Sequence, residues 1–294
     1  YQHGITRQKE DVIVLAQAFT SIGRAVLAID LPLHQQNAMA GRTTGDQWGE
    51  DFMALGAPLA TRSNVQQGAL NLDRAEFVVL AGSLEAALTG VGIGAKAPNR
   101  TTVKPRIVGH SLGSIVAAYY LAGNTTLSAT GYPYTQSTLD ADMKGFLSSP
   151  GARTAYIIQN SPSFGPGVDA GLALQGIAKG TPTYHKFFQV TQTVVDTVDP
   201  ASLTTPLAAG LPSRLSGRIA MQEATSTTFS GVGSDLNPIP TNGDMTIINP
   251  YCRYFASALG GREVLGTAGA AVAPNFKQLA YLGGGTPAHA AGVP

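Results

Sequence analysis

Apolar positions along this chain alternate between two rhythms. Val12, Leu15, Ala16, Phe19 and Ile22 recur at the spacing of one helix face over residues 9–22, and Gly23 ends the run. RAVLAID, residues 24–30, is an apolar run ending in an acid and reads as a buried parallel strand. Residues 34–64 are polar and glycine-rich, with the only tryptophan, Trp48. The pattern predicts a long helix over 65–88, a strand at VKPRIVG (103–109) and a helix of small and apolar residues at HSLGSIVAAYYLAG (110–123). RTAYIIQNS (153–161) reads as a third strand, SGRIAMQEA (216–224) as a fourth and NFKQLAYLGG (275–284) as a fifth. About twenty polar, loop-like residues follow the fourth. NPYCRYFASALGG (249–261) is a helix with Tyr251, Tyr254, Phe255, Ala258 and Leu259 on one face.

Strands alternating with helices imply an α/β fold, a mainly parallel sheet flanked by helices. Residues 162–215 interrupt the alternation: they contain no strand pattern, only the apolar helical stretch FFQVTQTVVDTV between proline-rich turns. The expected organisation is a core of residues 1–161 and 216–294 with a helical cap or lid inserted at 162–215.

Composition narrows the function classes. The chain has 294 residues, 44% hydrophobic and only 13% charged, with 35 Gly and 18 Pro, which suits a turn-rich globular protein with a sizeable core. A net charge of +1 without a Lys/Arg cluster argues against nucleic acid as a partner. One cysteine, Cys252, can form neither an intrachain disulfide nor a thiolate zinc site, and reads as a small apolar helix residue. No apolar run reaches the ~20 residues of a membrane span. Low charge with Ala, Gly, Thr and Pro richness points to an exported or cell-surface bacterial protein. No cofactor pattern is present. The Asp235/Asn237 loop lacks the ligand spacing of a calcium loop, so no metal is expected.

The chemistry concentrates in RIVGHSLGS. Gly109-His110-Ser111-Leu112-Gly113 fits G-x-S-x-G, a weak pattern alone but a meaningful one where a strand precedes it and a helix follows. That context describes a sharp elbow that lifts Ser111 above the sheet edge, with a helix N-terminus aimed at it. A serine nucleophile needs a base, and the base an orienting acid, in the chain order Ser, acid, His. His3 and His34 precede Ser111, His110 adjoins it and points elsewhere, and His185 lies in the cap, which leaves His289. Glu223, Asp235 and Asp244 are the acid candidates. Asp244 in NGDMTIINP, just before a helix, is preferred over Asp235, and Asp196 and Asp199 read as solvated cap residues.

YQHGIT, AIDLPLH, VGHSLGS, QTVVD, GDMTI before NPYCRYFASALGG and a late histidine together resemble the bacterial extracellular lipases and esterases of the α/β-hydrolase superfamily, over nearly the whole chain. The resemblance implies that the backbone N–H groups of Ile5 and Leu112 form the oxyanion hole while His3 pins the loop. The chain departs from the family pattern at Ile248, where proline is usual, at Gln35, where glycine is usual, and in a longer loop over 225–242. His110, Phe164, Phe187 and Phe188 are candidate substrate contacts. The aromatics, with Tyr184, would equally serve to pack the cap onto the core.

The expected activity is hydrolysis of carboxylic esters by Ser111, Asp244 and His289, with lipase, esterase and polyester hydrolase all open. The substrate would be an ester or lipid, met during transient contact with a lipid interface. Alternatives are a peptidase, thioesterase or acyltransferase on the same triad, or a non-catalytic binding protein of this fold. The fold ordinarily has strands before the loop that YQHGIT resembles. The reading therefore predicts that these N-terminal strands lie outside this sequence, and that an upstream segment or second chain completes the sheet.

Overall fold

Burial and hydrogen bonding organise the chain around a parallel sheet. The computed structural model describes residues 1–94, 103–127, 143–205, 215, 217–232, 238–242, 246–259, 262–265 and 277–282. Its strands are β1 (Arg106–His110), β2 (Lys144–Ser148), β3 (Ile219–Val232), β4 (Pro238–Asn242), β5 (Arg262–Leu265) and β6 (Lys277–Leu282), in the order β1-β2-β3-β6-β5 with β4 on β3. Every pairing along that path is parallel, and β4 alone runs antiparallel. Gln2 extends the order beyond β1, bridging Gly109 on one side and Ile29 on the other, both in parallel.

The helices are α1 (Ile13–Ser21), α2 (Gly45–Phe52), α3 (Pro58–Leu80), α4 (Ser83–Gly90), α5 (Leu112–Leu127), α6 (Thr154–Asn160), α7 (Gly165–Leu174), α8 (Pro182–Val195), α9 (Pro200–Leu203) and α10 (Asn249–Ala258). α5 is the core helix: Leu112, Ile115, Val116, Ala117, Ala118, Tyr120, Leu121 and Ala122 are all buried, as a helix apolar on most faces must be. It packs with Val65, Ala69 and Leu72 of α3, Leu147 of β2, Met221 of β3 and Phe255 of α10. A second cluster forms where Ala155 of α6 meets Leu172 of α7 and Tyr184 and Phe188 of α8. Val195, the last residue of α8, and Val198 in the turn after it join the main core instead.

Several sequence expectations change here. RTAYIIQNS is helix α6, not a strand: Thr154, Ala155, Ile157 and Ile158 are buried, a helical spacing hidden in a β-like composition. The strand between the elbow helix and β3 is instead β2, KGFLS. RAVLAID contributes a single bridge at Ile29, because its sheet neighbour is Gln2 alone. The helix expected over 65–88 starts earlier, at Pro58, and breaks at Gly82 (φ +79°). The stretch after Ala224 continues β3 and turns back as β4. Within the polar stretch 34–64, α2 begins with a reciprocal cap between Thr44 and Gln47, the T-x-x-Q signature of a helix start.

Candidate active site

Ser111 sits between the end of β1 and the start of α5 with φ +53°, a left-handed conformation that side chains other than glycine rarely adopt. The conformation is held by the backbone. Ser111 donates its N–H to the Ser148 carbonyl at 2.8 Å, and its own carbonyl accepts from Ser114 N–H at 2.8 Å. Ser114 Oγ lies 2.7 Å from the Gly109 carbonyl and 2.9 Å from that of Ser148, tying the elbow to the ends of both strands.

The two motif glycines are sterically required. A Cβ on Gly109 would lie 2.6 Å from the Gly113 carbonyl oxygen, and one on Gly113 would lie 2.3 Å from the Gln2 and 2.4 Å from the His3 carbonyl oxygen. These contacts are with backbone, which cannot swing away. The His-Gly loop therefore lies directly against the elbow. A Cβ on Gly4 would come 3.0 Å from Ser111 Cβ and 3.3 Å from His110 Cδ2. Gly4, which precedes Ile5, thus packs on the serine, and Leu112 follows it in the chain; neither the Ile5 nor the Leu112 backbone N–H donates to another of the described residues. Leu112 is the first residue of α5, where N–H groups lack intrahelical acceptors and the helix dipole is positive.

The loop is anchored by His3, which is fully buried. Nε2 accepts from Leu31 N–H at 3.0 Å, so Nδ1 carries the proton and donates it to the Gly4 carbonyl at 2.8 Å. Burial is the main reason that its pKa falls from 6.5 to about 4. The Gly4 hydrogen bond and the Asp30 carboxylate oppose that fall, and neighbouring His34 adds to it. Both nitrogens are engaged, so His3 is an anchor rather than a proton shuttle. On the far side of the loop, Asp30 accepts from Lys9 N–H at 2.9 Å and Lys9 Nζ at 2.6 Å. His34 packs against His3, Trp48 and Phe52, donates from Nδ1 to the Pro32 carbonyl at 2.9 Å, and is likewise kept neutral mainly by burial.

The other sequence candidates distribute as follows. His110 is buried, with Nδ1 3.3 Å from Ser148 Oγ. Phe188 is 0% exposed inside the α6–α8 cluster, and half-buried Phe164 precedes α7. Phe187 lines an open, mainly apolar groove of about 360 Å³ with Leu55, Pro58, Ile177 and Val190; none of Ser111, Ile5 and Leu112 lines it. Asp235, Asp244 and His289 lie outside the described residues. Glu223 is 1% exposed and clasped by Arg253 of α10, at 2.9 and 3.0 Å to Oε1, so its carboxylate serves that pair.

Asp199 overturns its sequence reading. It is 0% exposed rather than solvated, and its carboxylate accepts from Arg153, Thr154 and Ala201 N–H, Thr154 Oγ1 and Gln192 Nε2. The signal that could have marked it is Asp199-Pro200, an N-cap acid followed by proline at a helix start.

Among the described residues no helix is long and apolar enough to cross a membrane, and no group of three or more His, Cys, Asp or Glu could hold a metal ion. Protein-family models, curated proteins and solved structures give no match to this chain, so its fold and site stand on its own residues.

Proposed function

We propose that this chain is a serine hydrolase of the α/β-hydrolase type that cleaves carboxylic esters. The observation that carries the reading is Ser111 itself: a left-handed serine between a parallel strand and a helix N-terminus, with the Gly4 loop packed on it. The strained turn is the conformation that a nucleophile elbow requires, and the start of α5 beside it supports backbone N–H donation to an oxyanion.

In the proposed reaction Ser111 Oγ attacks the ester carbonyl carbon as His289 accepts the hydroxyl proton. The N–H groups of Ile5 and Leu112 receive the developing oxyanion, each worth about 3 kcal/mol of transition-state stabilisation. His289 then protonates the leaving alkoxide as the carbon–oxygen bond breaks. Water, deprotonated by the same base, releases the acyl group and restores the serine. Asp244 holds the His289 tautomer and balances its charge. His289 and Asp244 enter by chain order and by the family resemblance, and among the described acids Glu223 and Asp199 are already engaged elsewhere.

Hydrolysis of p-nitrophenyl butyrate, together with fluorophosphonate labelling mapped by peptide analysis, tests the proposal. The wild type turns over the ester and carries the label on Ser111, and Ser111→Ala loses both. Equal turnover by Ser111→Ala, or labelling elsewhere, overturns it. A panel of esters, thioesters and peptides then fixes the leaving group.

A further inference from the structure

A fully buried carboxylate is costly unless every lone pair finds a donor. Asp199 meets that condition with more donors than its own short helix requires. Oδ1 accepts from Ala201 N–H at 2.9 Å, which caps α9, and also from Arg153 N–H at 2.9 Å. Oδ2 accepts from Thr154 N–H at 2.6 Å, Thr154 Oγ1 at 2.7 Å and Gln192 Nε2 at 3.2 Å. Gln192 Oε1 completes the arrangement by accepting Ala155 N–H at 3.0 Å. Three successive N–H groups at the start of α6 are therefore capped by side chains from α8 and the turn after it, about forty residues along the chain.

The capped end belongs to a segment that begins at the nucleophile. Residues 148–153 link β2 to α6. At one end the Ser148 carbonyl takes the N–H of Ser111 and the hydroxyl of Ser114. In the middle Ser149 (φ +47°) donates its N–H to the Gln222 carbonyl at 2.8 Å, and Ala152 donates to the Tyr251 carbonyl at 3.3 Å. At the other end Arg153 (φ +67°) and Thr154 are held by Asp199. Two left-handed residues that are not glycine persist in six positions only because both ends are fixed.

We propose that Asp199, assisted by Gln192, is a positioning residue for the nucleophile elbow. It sets the course of residues 148–153, and the Ser148 carbonyl at their start sets the backbone of Ser111. Asp199 touches no substrate. It couples the helical segment around α8 and α9 to the serine. The catalytic part of this inference rests on the proposal that Ser111 is the nucleophile; the structural part does not.

Asp199→Asn tests it, because the amide keeps the shape and points a donor at the donors of Thr154 or Arg153. Amide hydrogen exchange is read first. Exchange at Ser111 accelerates about tenfold or more while Ile107 and Val108 in β1 keep wild-type rates. kcat for p-nitrophenyl butyrate and the fluorophosphonate labelling rate fall together, roughly 10- to 100-fold, with KM within about threefold of wild type. Wild-type exchange at Ser111 in folded Asp199→Asn overturns the inference, as does equal acceleration throughout the protein. If Asp199→Asn does not fold, Gln192→Met removes one donor to Asp199 and the cap on Ala155, and is judged by the same two readouts. A wild type that is never labelled at Ser111 overturns the hydrolase reading, and exchange at Ser111 still decides the positioning role.

Discussion

The backbone N–H of Ser111, one residue past the end of β1, donates to the carbonyl of Ser148, the last residue of the neighbouring parallel strand, across 2.8 Å. The bond continues the sheet ladder one step past His110, into a residue that has already turned left-handed. A residue that is still hydrogen-bonded to the neighbouring strand and already reversed has little freedom to relax.

Gly113→Ala places a methyl group 2.3 and 2.4 Å from two backbone oxygens of the Gln2–His3 segment. Either that segment or the helix start must move. We expect about 3 kcal/mol of lost stability in chemical denaturation, and an ester turnover reduced by about 100-fold or more.

His3 is neutral in the folded protein, with its pKa pushed down to about 4 from 6.5. The unfolded chain therefore binds the proton more readily. The stability this residue contributes is complete above pH 6.5 and is lost as pH falls toward about 4, by an amount on the order of 3 kcal/mol. His34, also shifted downward, acts in the same direction. Urea denaturation between pH 7 and pH 4.5 measures the slope, which is shallower in His3→Gln.

Glu223 is buried and faces Arg253, which is partly exposed. Arg253→Met strands the carboxylate and costs about 3 kcal/mol. Glu223→Gln leaves a neutral amide beside the more exposed guanidinium and costs less. Guanidinium or urea melts of the two variants give the ranking, and a reversed order argues against the pair as an anchor of α10.

Gln35 has φ +46° and hydrogen-bonds Gln8. Glycine there relieves about 1 kcal/mol of backbone strain and gives up a hydrogen bond of similar size, so Gln35→Gly changes stability by less than about 1 kcal/mol. Gln35→Val keeps the strain, loses the bond and costs about 2 kcal/mol or more. Thermal melts of both variants separate the two contributions.

Much of this molecule is written locally. The elbow was legible in Gly109, Ser111 and Gly113 because the constraint is steric and acts over five residues. α5 was legible as a run of small and apolar residues after the elbow. α10 was legible as a helix but not in its buried face: Cys252, Phe255 and Ala256 are buried, whereas Tyr254 and Ala258 of the expected face are exposed. The His-Gly loop was legible as a partner of the elbow through the resemblance it carries. Tertiary contacts decided the rest. Thr154–Asn160 has the composition of a strand, yet the donors at its N-terminus meet Asp199 and Gln192, and that capping favours a helix. Asp199 looked solvated because a carboxylate ordinarily is, and only the convergence of five donors makes its burial tolerable. Glu223 looked available for catalysis until α10 brought Arg253 across it. Sequence pattern determines what one segment prefers by itself. Whether a buried charge or an ambiguous apolar run is stable depends on partners far along the chain, and only the folded structure supplies them.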